Sequence, residues 1–145
     1  MASEVRARKG RRNFGCSFPP TITVGKNLYI AHANGIGIGK TTVIGDNCKI
    51  YPKVEIAAAL KGDSKLRASG AKRWHAKIGN DVILGVGCTI IGPVEIGDDT
   101  VIAAGAMVTK DVPPHTVVKN VNEFRAKRPD EMSEAYTEAD KGQDL

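Results

Sequence analysis

Three observations predict an all-β coil of short parallel strands. The first is a period of six. Ile78, Leu84, Ile90, Ile96, Ile102 and Val108 open consecutive hexads without a gap, and Val82, Cys88, Val94, Thr100 and Ala106 stand four places after an opener. The same rule holds earlier at Val24 and Ile30, then at Ile38, Ile44, Ile50 and Ile56. Between those runs the frame slips by two residues, within Asn34–Gly37. The second is the punctuation: Gly followed by Asp-Asn, Asn-Asp or Asp-Asp separates the short β-branched runs, as turns require. The third is the core material. Aromatics make up only 5% of the 145 residues and glycines number sixteen, so Ile, Val and Ala must fill the interior.

A six-residue period does not suit an amphipathic helix, which needs recurrences at three and four. A strand–turn unit of that length can close a three-sided coil every three hexads. Successive coils would stack at the spacing of paired strands, about 4.8 Å. Openers and their small partners would then point inward as one continuous column. No single coil can bury its own apolar face, so neighbours are required. The runs amount to about four to five coils, with a long loop at 60–77 between them.

The domain expectation is a basic arm over 1–14, one coiled domain over 15–118, and a polar tail over 119–145 that forms at most a short helix. The arm carries five bases against Glu4, the loop six bases against Asp63, and residues 123–145 seven acids against four bases. Such asymmetry can mark a nucleic-acid or membrane partner. Here no aromatic interleaving or binding motif supports nucleic acid. No stretch approaches the roughly 20 apolar residues of a membrane span. The basic N-terminus has no apolar segment behind it, unlike a secretory signal, so a cytoplasmic location is expected. Cys16, Cys48 and Cys88 lack metal-type or paired spacing and are expected to be small buried hydrophobes.

On these residues the chain resembles the hexapeptide-repeat acyltransferases, whose coils wind left-handed. Within that family, Ile30-Ala-His32-Ala-Asn-Gly35-Ile-Gly-Ile-Gly39 is similar to the active-site segment of serine O-acetyltransferases. Lys77-Ile-Gly-Asn-Asp-Val, Gly92-Pro-Val-Glu-Ile-Gly-Asp and Val108-Thr-Lys-Asp-Val-Pro-Pro resemble their later coils. The resemblance covers residues 15–118 and implies a left-handed parallel β-helix, acetyl-CoA as acyl donor, no metal, and a homotrimer with sites at the seams between subunits. On this resemblance, the helical N-terminal domain usual in those enzymes is expected to have no counterpart in these residues.

Transfer of an acyl group to a hydroxyl needs a base, and histidine titrates near neutrality. The resemblance assigns that role to His32. It gives His75, in Arg73-Trp-His-Ala-Lys, a supporting catalytic and acceptor-binding role, with Arg73 beside it. His115 lies past the last coil and is expected to be merely exposed. Aligned backward from His32, the family aspartate that orients the base falls on Ser17, and a second falls on Ala31. Loss of these acids removes a charge-assisted partner for the imidazolium and turns some weight toward a neutral acceptor. For the donor, the resemblance points to Ala58 and Lys61 in the turn after Ile56, to Val86, Ala104 and Gly105 along the pantetheine arm, and to Lys110 near the nucleotide.

Three functions remain open on the sequence: a serine O-acetyltransferase serving cysteine biosynthesis, an O-acetyltransferase of a capsular or surface sugar, and a non-catalytic trimeric β-helix scaffold. A zinc enzyme on the same coil would need three or four converging ligands. The three histidines, separated by 43 and 40 positions, offer no such group.

Overall fold

The computed structural model describes residues 15–59 and 72–120. Over these the chain is a left-handed parallel β-helix, and every strand is two or three residues long. The strands are β1 (Thr23–Val24), β2 (Tyr29–Ile30), β3 (Gly37–Ile38), β4 (Val43–Ile44), β5 (Lys49–Ile50), β6 (Glu55–Ala57), β7 (Lys77–Ile78), β8 (Ile83–Leu84), β9 (Thr89–Ile91), β10 (Glu95–Ile96), β11 (Val101–Ile102), β12 (Met107–Val108) and β13 (Val117–Val118). They stack as three flat sheets. The first has the order β1-β4-β7-β10, the second β2-β5-β8-β11-β13 and the third β3-β6-β9-β12. Bridges from Ser17 to Gly37 and from Ile96 to Val112 complete the third and first sheets at their ends. Each side therefore has five rungs. No described helix is long and apolar enough to cross a membrane.

Register confirms the period. Ile38, Ile56, Ile90 and Val108 align on the third sheet, and Ile30, Ile50, Leu84, Ile102 and Val118 on the second. The small partners Val82, Cys88, Val94, Thr100 and Ala106 are buried behind the corners. At the corner between the first and second sheets, Asn27, Asn47, Asp81, Asp99 and His115 all take positive φ, a conformation that Asn, Asp and His tolerate better than most residues. The preceding side chains run a ladder there. Asp46 Oδ1 accepts from Lys26 N, Asn80 Oδ1 from Asp46 N, and Asp98 Oδ1 from Asn80 N. This is the physical reason for the Asp-Asn and Asp-Asp pairs in the sequence.

All three cysteines are buried. Burial pushes the Cys88 thiol up to about 12 and raises that of Cys48, whose Sγ donates to the Gly79 carbonyl at 3.1 Å. Thr42 is the exception to polar satisfaction. It is 1% exposed, and its Oγ1 has no hydrogen-bond partner among the described residues. Removing an unsatisfied buried hydroxyl recovers its desolvation cost, so Thr42→Val should raise the unfolding free energy by about 1 kcal/mol. A urea midpoint that falls instead would mean the hydroxyl is satisfied.

Candidate active site

The slip of two residues foreseen in the sequence lies between β2 and β3. Eight positions separate Tyr29 from Gly37, where most neighbouring strands are six apart. The added residues form an extra turn that begins at His32. That residue is exposed and has φ 46°, a left-handed conformation that costs a non-glycine residue about 1–2 kcal/mol. Strain of this kind gathers at functional sites. Among the described residues the His32 ring has no hydrogen-bond partner. Ala31, just before it, is buried at 5% exposure.

Above this turn rises the corner between the second and third sheets. Lys53 N donates to Asn34 O, Gly87 N to Pro52 O, and Gly105 N to Val86 O. His32, Val86, Ala104 and Gly105 therefore share one edge of the prism. Val86 is 45% exposed there, and Ala104 is exposed at the next rung. Gly105 takes φ 69°, and the Asn120 amide lies against its Cα.

The opposite edge of the third sheet carries Ala58, Arg73, His75 and Lys110. Lys61 falls outside the described residues. Lys110 lines a small hollow with Met107, Thr109 and Asp111. Arg73 clamps the chain as it returns to the coil: Nη1 donates to the carbonyls of His75 and Val94, at 3.0 and 3.2 Å, and Nη2 donates to Glu95 at 3.2 Å. A broader groove on the first sheet is lined by Lys77, Glu95, Asp98 and Asp111 and contains none of the predicted site residues.

His75 is held with unusual completeness, by a residue the sequence reading did not single out. Thr41 Oγ1 accepts from Trp74 N at 2.9 Å and from His75 N at 3.1 Å. Those two bonds occupy its lone pairs, so its proton goes to His75 Nδ1, 2.7 Å away. The Thr41 amide also points at Nδ1, at 3.4 Å. Nδ1 is thus an acceptor, and the network places the ring proton on Nε2. Burial lowers the pKa of His75, and the Lys40 ammonium lowers it further. The result is a neutral imidazole that offers an N–H. The ring lies against Gly39, where any Cβ would collide with it.

His115 sits on the far corner. It is exposed, and its Nδ1 is 2.8 Å from Asp99. Ser17 pairs with Gly37 on the third sheet: Ser17 N donates to Ile36 O and Ile38 N to Ser17 O. Among the described residues, no group of three His, Cys, Asp or Glu side chains could hold a metal ion.

Comparison with known proteins agrees with this architecture. Residues 75–110 match the bacterial transferase hexapeptide family (six repeats). The serine acetyltransferase of Mycobacterium tuberculosis is 39% identical over 107 residues, which cover 74% of this chain and 43% of that protein. The Helicobacter pylori serine acetyltransferase is 38% identical over 99 residues, or 68% of this chain and 53% of that one. Among solved structures, Neisseria gonorrhoeae serine acetyltransferase in complex with serine superposes with a TM-score of 0.67 at 32% identity, covering 79% of this chain and 44% of that chain. The Brucella abortus enzyme in complex with coenzyme A gives 0.67 at 31% identity, covering 77% and 42%. The chain spans about half or less of the length of each. In repeat, register and sequence alike, it is a hexapeptide-repeat protein of the serine acetyltransferase-like kind.

Proposed function

We propose that the protein is an acetyl-CoA-dependent O-acetyltransferase whose acceptor is serine. The observation that carries this reading is the pairing of two unlike histidines at the two edges of the third sheet. His32 is exposed on a strained turn with its ring uncommitted among the described residues, as a proton acceptor requires. His75 is fixed as an N–H donor. In the reaction, His32 takes the proton of the acceptor hydroxyl as its oxygen attacks the thioester carbonyl carbon. The new C–O bond forms, the C–S bond breaks, and the proton passes from His32 to the departing sulfur. His75 Nε2–H positions the acceptor by donating to it.

The relatives support serine as acceptor and coenzyme A as donor carrier. Val86, Ala104 and Gly105 would line the pantetheine arm, with Ala58 and Lys110 on the other edge; Lys61, outside the described residues, is assigned to the donor by resemblance alone. Because the two sets occupy different edges of one prism, a trimer in which one subunit's His32 edge meets its neighbour's His75 edge brings them together. A closed ring of three such flat-sided prisms is a symmetric assembly of the expected kind.

The test is release of coenzyme A thiol from acetyl-CoA with serine or with sugar acceptors. Release with serine alone is the expected result. Release only with a sugar would replace the acceptor. Silence, together with no coenzyme A binding, would favour a trimeric scaffold.

A further inference from the structure

The outer face of the third sheet holds a second charged group that no reading of the motif includes. In β3, Ile38 points inward at 3% exposure, so Gly37 and Gly39 on either side of it face outward. Both glycines are covered. A Cβ at Gly39 would fall on the His75 ring, and a Cβ at Gly37 would fall on the carboxylate of Glu55. Two residues along a strand span about 7 Å. The Glu55 carboxylate and the His75 imidazole thus occupy adjacent seats on one face, which exist because both positions lack side chains.

Glu55 pairs in register with Gly37, and Gly37 with Ser17 below it. The Glu55 side chain leans from the third rung over the second, which brings its carboxylate to within one rung of Ser17. Although the residue is exposed overall, its carboxylate rests on the sheet backbone, and this desolvation raises its pKa. Among the described residues it has no hydrogen-bond or ion-pair partner. A partly desolvated carboxylate with no partner among the described residues is a cost to the fold. It is complementary to a cation that arrives from solution. Its neighbour, the neutral His75 Nε2–H, is complementary to a carboxylate or hydroxyl oxygen. A small zwitterion satisfies both.

Resting on the acetyltransferase reading, we propose that Glu55 recognises the ammonium group of a hydroxy-amino-acid acceptor and so determines specificity for it. The acceptor lies across the Gly37–Gly39 face with its ammonium on Glu55 and an anionic or hydroxyl oxygen on His75.

The full chain is assayed with acetyl-CoA and either L-serine or 3-hydroxypropionate, which keeps the hydroxyl and carboxylate but lacks the ammonium. In the wild type serine is preferred. In Glu55→Gln the serine preference should fall about ten- to a hundredfold, as loss of one charge-assisted bond implies, mainly through the KM for serine. Glu55→Asp should recover part of it. Because the carboxylate is held against its own solvation, Glu55→Gln should melt no lower than wild type at neutral pH, which a merely structural role would not allow. An unchanged preference in Glu55→Gln, or an equal loss on both acceptors, overturns the proposal. Calorimetric titration of serine separates this from failure of acetyl transfer itself. If no turnover is seen, serine binding that weakens in Glu55→Gln supports the ammonium site. Binding unaffected by the substitution, or no serine binding at all, overturns it.

Discussion

His32→Asn is expected to lower the rate of acetyl transfer about a hundred- to ten-thousandfold, the usual contribution of a general base, without lowering stability. The choice of asparagine follows from the backbone. At φ 46° an alanine would carry the left-handed strain without compensation, and a loss of activity could then be blamed on the turn. Asparagine is among the residues that accept this conformation most readily, so it removes the ring and keeps the turn. The measurement is kcat with saturating acetyl-CoA and serine, beside the thermal midpoint of both proteins. A midpoint within a degree or so and a collapsed kcat would assign the loss to the imidazole. Retained kcat in a folded His32→Asn would remove His32 as the base and leave His75, whose proton already sits on Nε2, as a poor replacement.

The coil was legible because its signal is a property of every rung. Each opener from Ile38 to Val108 is buried in the register the six-residue period implies. The two-residue slip was legible as well, and the structure turns it into the strained His32 corner. What lay beyond the sequence is what adjacent coils bring together. Glu55 is 18 positions from Gly37, and His75 is 36 from Gly39 with a long loop between. In one dimension Gly37-Ile-Gly39 is an opener between two glycines, whereas in the coil the glycines seat the Glu55 carboxylate and the His75 ring. Charge was hard to read for the same reason. Serine at position 17 and alanine at 31 turned some weight toward a neutral acceptor, and the ammonium partner proposed above, Glu55, comes from a coil two rungs above Ser17. Arg73, expected near the acceptor, has two nitrogens donating to carbonyls and to Glu95. Residue type alone could not foresee that geometry.

Thr41→Val carries the second large effect, because one hydroxyl oxygen organises the whole return of the chain at His75. The substitution leaves the amides of Trp74 and His75 without their acceptor and Nδ1 with only the long contact from the residue 41 amide, 3.4 Å away. Each orphaned group costs about 1–3 kcal/mol when it stays buried, and less where water reaches it, so stability falls. The distinguishing consequence concerns the proton. A donor to Nδ1 favours the neutral ring, so its removal raises the His75 pKa from its depressed value, although burial and Lys40 still oppose the charge. In the wild type the unfolded chain binds a proton at His75 before the folded one does. Stability is therefore complete above about pH 6.5 and is lost as pH falls from there toward the lower folded value. Thr41→Val narrows that window. Thr41→Ser keeps the hydroxyl and should restore it. Proton NMR titration of the His75 ring provides the check. If the ring titrates identically in wild type and Thr41→Val, the hydroxyl does not hold Nδ1, and His75 regains the freedom to act as a base.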